Sequence, residues 1–189
     1  MSPDQINSQL VRILQQYEQS FSTKIFGEEA GDVDELMEIF GLTQQIKMEN
    51  RQYWGRELGM CWQLLITELF KITCKDFKGP IKEGGDEICD LICGQDAIDT
   101  KYRIGSGDSG TLKKFQQYGS RIKKLGYRPV ILILRDDNLE AAITACRSGG
   151  WTVLMGGDSY DYIKKATRFD FKAWLTSKKD LYKYKVHPN

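Results

Sequence analysis

Hydrophobic positions along the central part of the chain follow two spacings, one typical of helices and one typical of strands. Apolar residues three and four positions apart predict helices, whereas short apolar runs predict strands. The predicted elements are, in order, a helix from Thr43 to about Thr73, a hairpin over residues 87–103, a helix from Thr111 to about Leu125, a strand at Val130–Leu134, a helix from Asn138 to Arg147 and a strand at Trp151–Met155. A strand, a helix and a buried strand in this order imply a parallel crossover. With the antiparallel hairpin, the order predicts an α/β fold whose mixed central sheet is flanked by helices.

Helical spacing also extends to both sides of this central part. Residues 4–20 predict an amphipathic helix, and Asp32 or Asp34 is expected to cap a short helix that runs through Phe40 and ends at Gly41. Residues 159–181 are mostly helical in pattern. Because no linker or repeat interrupts the chain, we expect one domain over residues 1–189. Its parts are a helical segment (about 1–42), a core (about 43–157) and a helical, basic segment (about 158–189).

The predicted hairpin carries an unusual set of charges. With Gly94 and Gln95 as its turn, Cys93 lies opposite Asp96, and counting outward places Asp90 opposite Asp99. Side chains alternate along a strand, and directly paired residues share a face. The face expected to carry the charges consists of Asp90, Asp99, Lys101 and Arg103 beside Ile88, Ile92 and Ala97. The opposite face is expected to consist of Cys89, Leu91, Cys93, Ile98, Thr100 and Tyr102.

Two aspartates placed opposite each other on a sheet repel, at a cost of up to about 1 kcal/mol. One interpretation is an ordinary ion pair in which Lys101 neutralises Asp99. The other is a divalent cation, because carboxylates suit hard ions such as Mg²⁺. Both interpretations depend on the strand register, since a slip of one residue at Gly94 would separate Asp90 from Asp99.

Composition narrows the classes of function that remain. The chain has 189 residues and a net charge of +1, with no apolar run long enough to span a bilayer, so we expect a cytoplasmic protein without a membrane partner. Its five cysteines are an odd number in apolar surroundings, which favours buried free thiols over disulfides or a metal site. The single histidine, His187, stands two residues from the end. It makes mechanisms that need a histidine base improbable.

The net charge hides an asymmetry between the two halves of the sequence. Residues 1–100 hold 9 lysines and arginines against 18 aspartates and glutamates, whereas residues 101–189 hold 18 against 8. A basic half of this size is compatible with a polyanionic partner such as nucleic acid. The alternative is that the two halves intermix in space and leave a neutral surface.

The charged hairpin carries a family resemblance. The spacing Asp90-x8-Asp99-x-Lys101 resembles the signature of the PD-(D/E)XK nuclease superfamily, with Cys89 where that signature often has proline. The order of a helix, motif-bearing strands, a helix and a buried strand over residues 43–134 also resembles the core of that family. The resemblance implies a restriction-endonuclease-like core, and the subfamily that we suggest is that of the ApaLI-like type II restriction enzymes.

The resemblance implies specific roles for residues of this chain. Asp90 and Asp99 would ligate Mg²⁺ together with the backbone carbonyl of Thr100. Lys101 would orient or help to deprotonate the attacking water and stabilise charge on the phosphate. Some members add a glutamate from the preceding helix, for which Glu57 is the candidate and Glu49 and Glu68 are weaker alternatives. Glu57 could equally form an ion pair with Arg56 or Arg51.

We therefore expect a Mg²⁺-dependent endonuclease that cuts double-stranded DNA at a specific site, acting as a homodimer. The basic helix after the hairpin supplies candidate DNA contacts, namely Lys113, Lys114, Gln117, Arg121 and Lys124. A junction resolvase or a repair nuclease of the same superfamily is an alternative. A noncatalytic module that binds nucleic acid or protein through an ionic hairpin is another.

Overall fold

The computed structural model describes residues 33–179, with the exception of the side chain of Glu49. Its helices are α1 (Glu35–Phe40), α2 (Gln44–Glu49), α3 (Arg51–Thr73), α4 (Ser109–Lys124), α5 (Glu140–Gly149), α6 (Gly157–Thr167) and α7 (Phe171–Ser177). Its strands are β1 (Phe77–Lys78), β2 (Ile81–Glu83), β3 (Asp86–Cys89), β4 (Leu91–Cys93), β5 (Asp96–Lys101), β6 (Arg128–Ile133) and β7 (Thr152–Met155). The helix predicted over residues 4–20 lies outside the described residues.

A five-stranded mixed sheet forms the centre of the fold, with the strand order β1-β4-β5-β6-β7. The pairs β1–β4 and β4–β5 are antiparallel, whereas β5–β6 and β6–β7 are parallel. Strands β2 and β3 form a separate two-stranded hairpin. The prediction of an α/β fold with a mixed sheet and a parallel crossover is therefore confirmed.

Helices cover the sheet on both faces, and each face has its own hydrophobic cluster. On one face Trp62 and Phe70 of α3 pack with Ile98 and Leu132 of the sheet, beneath α1, α6 and α7. On the other face Phe115 of α4 and Ile143 of α5 pack with the strands. Successive residues of β6 therefore point into different clusters, which explains why this strand is apolar at nearly every position.

The long helix predicted from Thr43 to Thr73 is wrong in one respect, because the structure divides it at Asn50. Thr43 caps α2 as expected, and α3 ends at Thr73. Asn50 has φ −142° and ψ 59°, which are not helical values. Asparagine has a low helix propensity, although the Asn50 side chain makes no capping hydrogen bond to α3. The apolar spacing continues across the break, so hydrophobic periodicity alone could not reveal it.

Helix termini elsewhere follow the local capping chemistry. Asp34 accepts a hydrogen bond from the Met37 backbone N–H at the start of α1, and Gly41 ends that helix with φ 64°. Helix α4 begins two residues before the predicted cap at Thr111. Its cap is Asp108, whose carboxylate accepts from the N–H groups of Gly110 and Thr111. The Asp108 carboxylate is a stronger acceptor than the Thr111 hydroxyl and lies upstream of it, so the helix starts earlier than predicted.

Two of the five cysteines form a disulfide, so the expectation of free thiols is wrong for Cys74 and Cys93. Cys74 caps the end of α3, and Cys93 ends β4 at the outer part of the sheet. Their Cα atoms are 6.0 Å apart, a separation typical of disulfides. Cys61, Cys89 and Cys146 are free, as expected. None of the helices within residues 33–179 is long and apolar enough to cross a membrane.

Candidate functional site

The register of the charged hairpin is the one that the sequence predicts. Cys93 pairs with Asp96, Ile92 with Ala97, and Leu91 with Ile98. Gly94 adopts φ 59° in the turn, where a left-handed conformation favours glycine. The ladder stops at Leu91, although the backbone N–H of Asp90 still donates to the Ile98 carbonyl at 2.9 Å.

Strand pairing changes at Asp90, and this departs from the prediction of one continuous strand. The residues before Asp90 form β3 and pair with β2, whereas those after it form β4 and pair with β5. Cys89 consequently packs with Ile88 in the cluster beneath α4 and α5, rather than on the opposite face as predicted. The bend at Asp90 resets the alternation of side chains, so counting through it gave the wrong face for Cys89.

At Thr100 of β5, the backbone N–H donates to the carboxylate of Asp90 and not to a backbone carbonyl of β4. Its Oδ2 accepts hydrogen bonds from both the backbone N–H and the hydroxyl of Thr100, each at 2.6 Å. Its Oδ1 accepts a bond of 2.7 Å from the side-chain amide of Gln63 on α3. Asp90 therefore lies where β4 diverges from β5, rather than on the sheet face that carries Asp99. Three donors fix the orientation of its carboxylate.

Asp99 and Lys101 lie on one face of β5. Their positions pair with Ile131 and Ile133 of β6, whose side chains face α4 and α5. The Lys101 ammonium contacts Asp99 Oδ2 at 2.6 Å and donates to the Thr100 carbonyl at 3.2 Å. The Asp99 side chain is 12% exposed and that of Lys101 is 36% exposed. Arg103 does not join them, because its guanidinium binds Asp137 at 3.0 Å.

Burial and neighbouring charges alter the proton affinity of this pair. Burial raises the pKa of Asp99 to about 6, Lys101 opposes that rise, and the nearby Asp90 carboxylate adds to it. Burial alone would lower the pKa of Lys101, but the carboxylates of Asp99 and Asp90 raise it above its ordinary value. Lys101 is therefore a cation at neutral pH. It is suited to stabilising negative charge and not to removing a proton from water.

The donor set at this place fits a hard divalent cation. Asp90 and Asp99 are two interacting carboxylates, and the Thr100 carbonyl directly follows Asp99 in sequence. Within the described part of the chain, no group of three or more histidine, cysteine, aspartate or glutamate side chains has the arrangement of a metal site. Mg²⁺ commonly takes one or two protein carboxylates and completes its shell with water and phosphate oxygens. Two carboxylates and a carbonyl are ligand types that match this preference.

Of the two interpretations of Glu57, the structure shows the ion pair on the helix surface. Its side chain is 45% exposed and contacts the Arg56 guanidinium at 3.1 Å. The α3 side chain that reaches Asp90 is Gln63, which lies about 9 Å further along the helix. Glu68 pairs with Lys71 on the helix surface. Helical spacing marks Gln63 only as a polar position beside the apolar face, so the sequence carried no signal for its role.

The five candidate DNA contacts lie on one exposed face of α4. At 3.6 residues per turn, they fall within an arc of about 100°. Two of them contact acids of the β2–β3 hairpin. Lys114 lies 3.4 Å from Asp86, and Arg121 lies 3.1 Å from Glu83. The remaining candidates, Lys113, Gln117 and Lys124, are exposed.

The acidic and basic halves of the sequence meet in several further ion pairs. Arg128 contacts Asp96 at 2.7 Å, and Arg135 contacts Asp34 at 3.1 Å. Lys172 contacts Glu35 at 3.4 Å. The two halves thus intermix within the described residues, as the alternative interpretation of the charge asymmetry expected. A basic surface can be argued only for particular elements such as α4, and not for the second half as a whole.

Comparison with protein-family models, with curated proteins and with solved structures finds no match for this chain. Assignment to a nuclease family consequently depends on the motif and on the geometry of its residues.

Proposed function

We propose that this protein is a Mg²⁺-dependent endonuclease of the PD-(D/E)XK type that hydrolyses phosphodiester bonds of double-stranded DNA. The observation that carries the proposal is the contact of 2.6 Å between Lys101 and Asp99, next to the oriented carboxylate of Asp90. These are the three side chains of the sequence motif. Asp90 lies where β4 diverges from β5, and Asp99 and Lys101 lie on one face of β5, in a fold that covers the central sheet with helices on both faces.

Each residue of the site has a chemical task that its surroundings support. Asp90, held by Gln63 and Thr100, presents a fixed carboxylate. Asp99 supplies a second carboxylate in a desolvated place, where electrostatic interactions are strong. Bound Mg²⁺ would polarise the phosphodiester and lower the pKa of a coordinated water. Lys101 would stabilise the negative charge that develops on the phosphate oxygens.

The finer proposal is a type II restriction enzyme that acts as a homodimer. A cut in both strands of a symmetrical site requires two copies of one active centre, and a single chain of this size provides one. The DNA contacts proposed for it are Lys113, Lys114, Gln117, Arg121 and Lys124 on α4. The resemblance of the motif and of the order of elements is also the basis on which we suggest the ApaLI-like subfamily.

The proposal is tested by incubating the full chain with phage DNA and Mg²⁺, with EDTA in a parallel reaction. Asp90→Asn and Asp99→Asn keep the shape of each side chain but remove its charge. Asp161→Ala, at an exposed position of α6, is the control. We expect discrete fragments from the wild type and the control, and none with EDTA or with either asparagine variant.

Other outcomes would select other functions. A smear of fragments would favour a nuclease without sequence preference, and cleavage of branched DNA alone would favour a junction resolvase. Equal inactivity of all four proteins on linear, branched and single-stranded DNA, together with DNA binding, would favour the noncatalytic module.

A further inference from the structure

The β2–β3 hairpin brings acidic side chains against the basic face of α4. Its turn is formed by Gly84 and Gly85, which both have positive φ, and Glu83 and Asp86 flank that turn. Glu83 binds Arg121, and Asp86 binds Lys114. The Tyr118 hydroxyl adds a bond of 2.6 Å to Asp86 Oδ2. The hairpin thus covers one flank of the face that carries the candidate DNA contacts.

Another anion can take the place of Glu83 and Asp86 in these ion pairs, because all four side chains are exposed. The side chains of Lys114 and Asp86 are 58% and 50% exposed, and those of Arg121 and Glu83 are 44% and 46% exposed. Ion pairs at such exposure contribute little to stability and weaken with salt. A DNA backbone presents closely spaced phosphates along a continuous path, which neutralise several cations at once.

The hairpin is also continuous with the candidate site. Strand β3 ends at Cys89, and the next residue is Asp90. Ile88 and Cys89 are buried in the cluster that also contains Phe115 of α4. The base of the hairpin is therefore anchored, while its tip is exposed. Movement of the tip away from α4 is possible without loss of this core.

We propose that the β2–β3 hairpin is an electrostatic screen on the DNA-binding face of α4, a role that rests on the proposed function. Glu83 and Asp86 occupy Arg121 and Lys114 in the free protein. A DNA duplex displaces these two acids and binds the released cations through its phosphates. Lys113 and Lys124, on the part of the same face beyond the hairpin, provide the first contacts.

The test measures binding and not cleavage, with a fluorescent duplex in EDTA followed by anisotropy over a range of salt concentrations. Glu83→Gln with Asp86→Asn removes the two screening acids. Glu68→Gln with Glu140→Gln is the matched control, because these acids also pair with exposed cations, Lys71 and Arg147, but on other helices. Lys114→Gln with Arg121→Gln removes the two cations. All six substitutions are at exposed positions, and circular dichroism verifies the fold.

We expect the hairpin variant to bind DNA at least about threefold more tightly than the matched control, because no ion pairs have to be broken. The cation variant should bind more weakly than wild type, and its salt dependence should decrease by about 1.8 in slope, since two phosphate contacts are lost. Hydrogen exchange of the amides in β2 should become faster in wild type when DNA binds.

Equal affinities of the hairpin variant and the control would overturn the screen while leaving the proposed function intact. Slower exchange in β2 on DNA binding would overturn it as well, because the hairpin would then remain in place. Absence of DNA binding by every protein, including wild type, would overturn the proposed function together with the screen. If wild type binds DNA but does not cleave it, the proposed nuclease activity is overturned. The affinities of the hairpin variant and the control then still support or overturn the screen.

Discussion

The side-chain amide of Gln63 donates a hydrogen bond of 2.7 Å to Asp90 Oδ1. Gln63 belongs to α3, which packs its apolar face on the sheet, whereas Asp90 follows β3 at the point where the hairpin strands separate. This contact connects the helical layer directly to the candidate metal site. It joins the two bonds from Thr100 in fixing one carboxylate from two sides.

Replacing Gln63 by alanine should lower the rate of DNA cleavage by about 10- to 100-fold, the range observed for groups that orient metal ligands. The thermal midpoint should change little, because Gln63 is only half-buried. Glu57→Gln is the matched control on the same helix and should retain wild-type activity, since the Glu57 side chain is 45% exposed and pairs with Arg56 on the helix surface. A loss in Glu57→Gln as large as that in Gln63→Ala would restore Glu57 as the helix residue of the site.

Stability in the absence of metal should fall as pH rises through the range in which Asp99 ionises. The pKa of Asp99 is about 6 in the folded protein and 3.8 in the ordinary case, so the folded state binds more protons between these values. The contribution of Asp99 to the free energy of unfolding is fully present below pH 3.8. It is lost as the pH rises through about 6, which lowers the free energy of unfolding by up to about 3 kcal/mol.

Asp99→Asn should remove this loss because asparagine does not ionise. Urea unfolding at a series of pH values between 4 and 7.5 in EDTA measures the effect. The difference in unfolding free energy between wild type and variant should shift in favour of the variant as pH rises. Parallel curves for the two proteins would contradict the raised pKa of Asp99.

The disulfide should contribute substantially to stability, because it closes a segment that contains the β2–β3 hairpin and Asp90. Cys74 and Cys93 are 19 positions apart, and closing a loop of this length contributes about 3 kcal/mol. Cys74→Ser with Cys93→Ser should lower the unfolding free energy by about that amount, and dithiothreitol should do the same to wild type only. A thiol assay of the denatured wild type should find the 3 free cysteines. Five reactive thiols would contradict the disulfide.

Local patterns predicted most of the fold correctly. The alternation around Gly94 determined the pairing of Leu91 with Ile98, because a slip of one residue would have exposed an entire apolar face. Apolar residues at every position of Val130–Leu134 indicated a strand covered on both faces, as β6 is. In both places one dominant requirement, the burial of apolar side chains, decides the outcome.

The features that sequence could not supply depend on distant partners. Asp90 ends the pairing with β5 because its carboxylate takes the N–H of Thr100, a competition that hydrophobic spacing does not record. Gln63 reaches Asp90 across 27 positions of sequence. Cys74 at the end of α3 and Cys93 at the end of β4 are brought together by the tertiary fold, which a count of cysteines does not record.

Cleavage of supercoiled plasmid DNA by Lys101→Met in Mg²⁺ tests the central claim most directly. Methionine preserves much of the apolar length of lysine and removes only the charge that contacts Asp99 at 2.6 Å. Lys113→Met, at an exposed position of α4, is the matched control. We predict that Lys101→Met lowers the cleavage rate by at least about 100-fold, the typical effect of removing a group that stabilises transition-state charge. Lys113→Met should only weaken DNA binding. Cleavage by Lys101→Met at the wild-type rate would contradict the assignment of Asp90, Asp99 and Lys101 as a nuclease site.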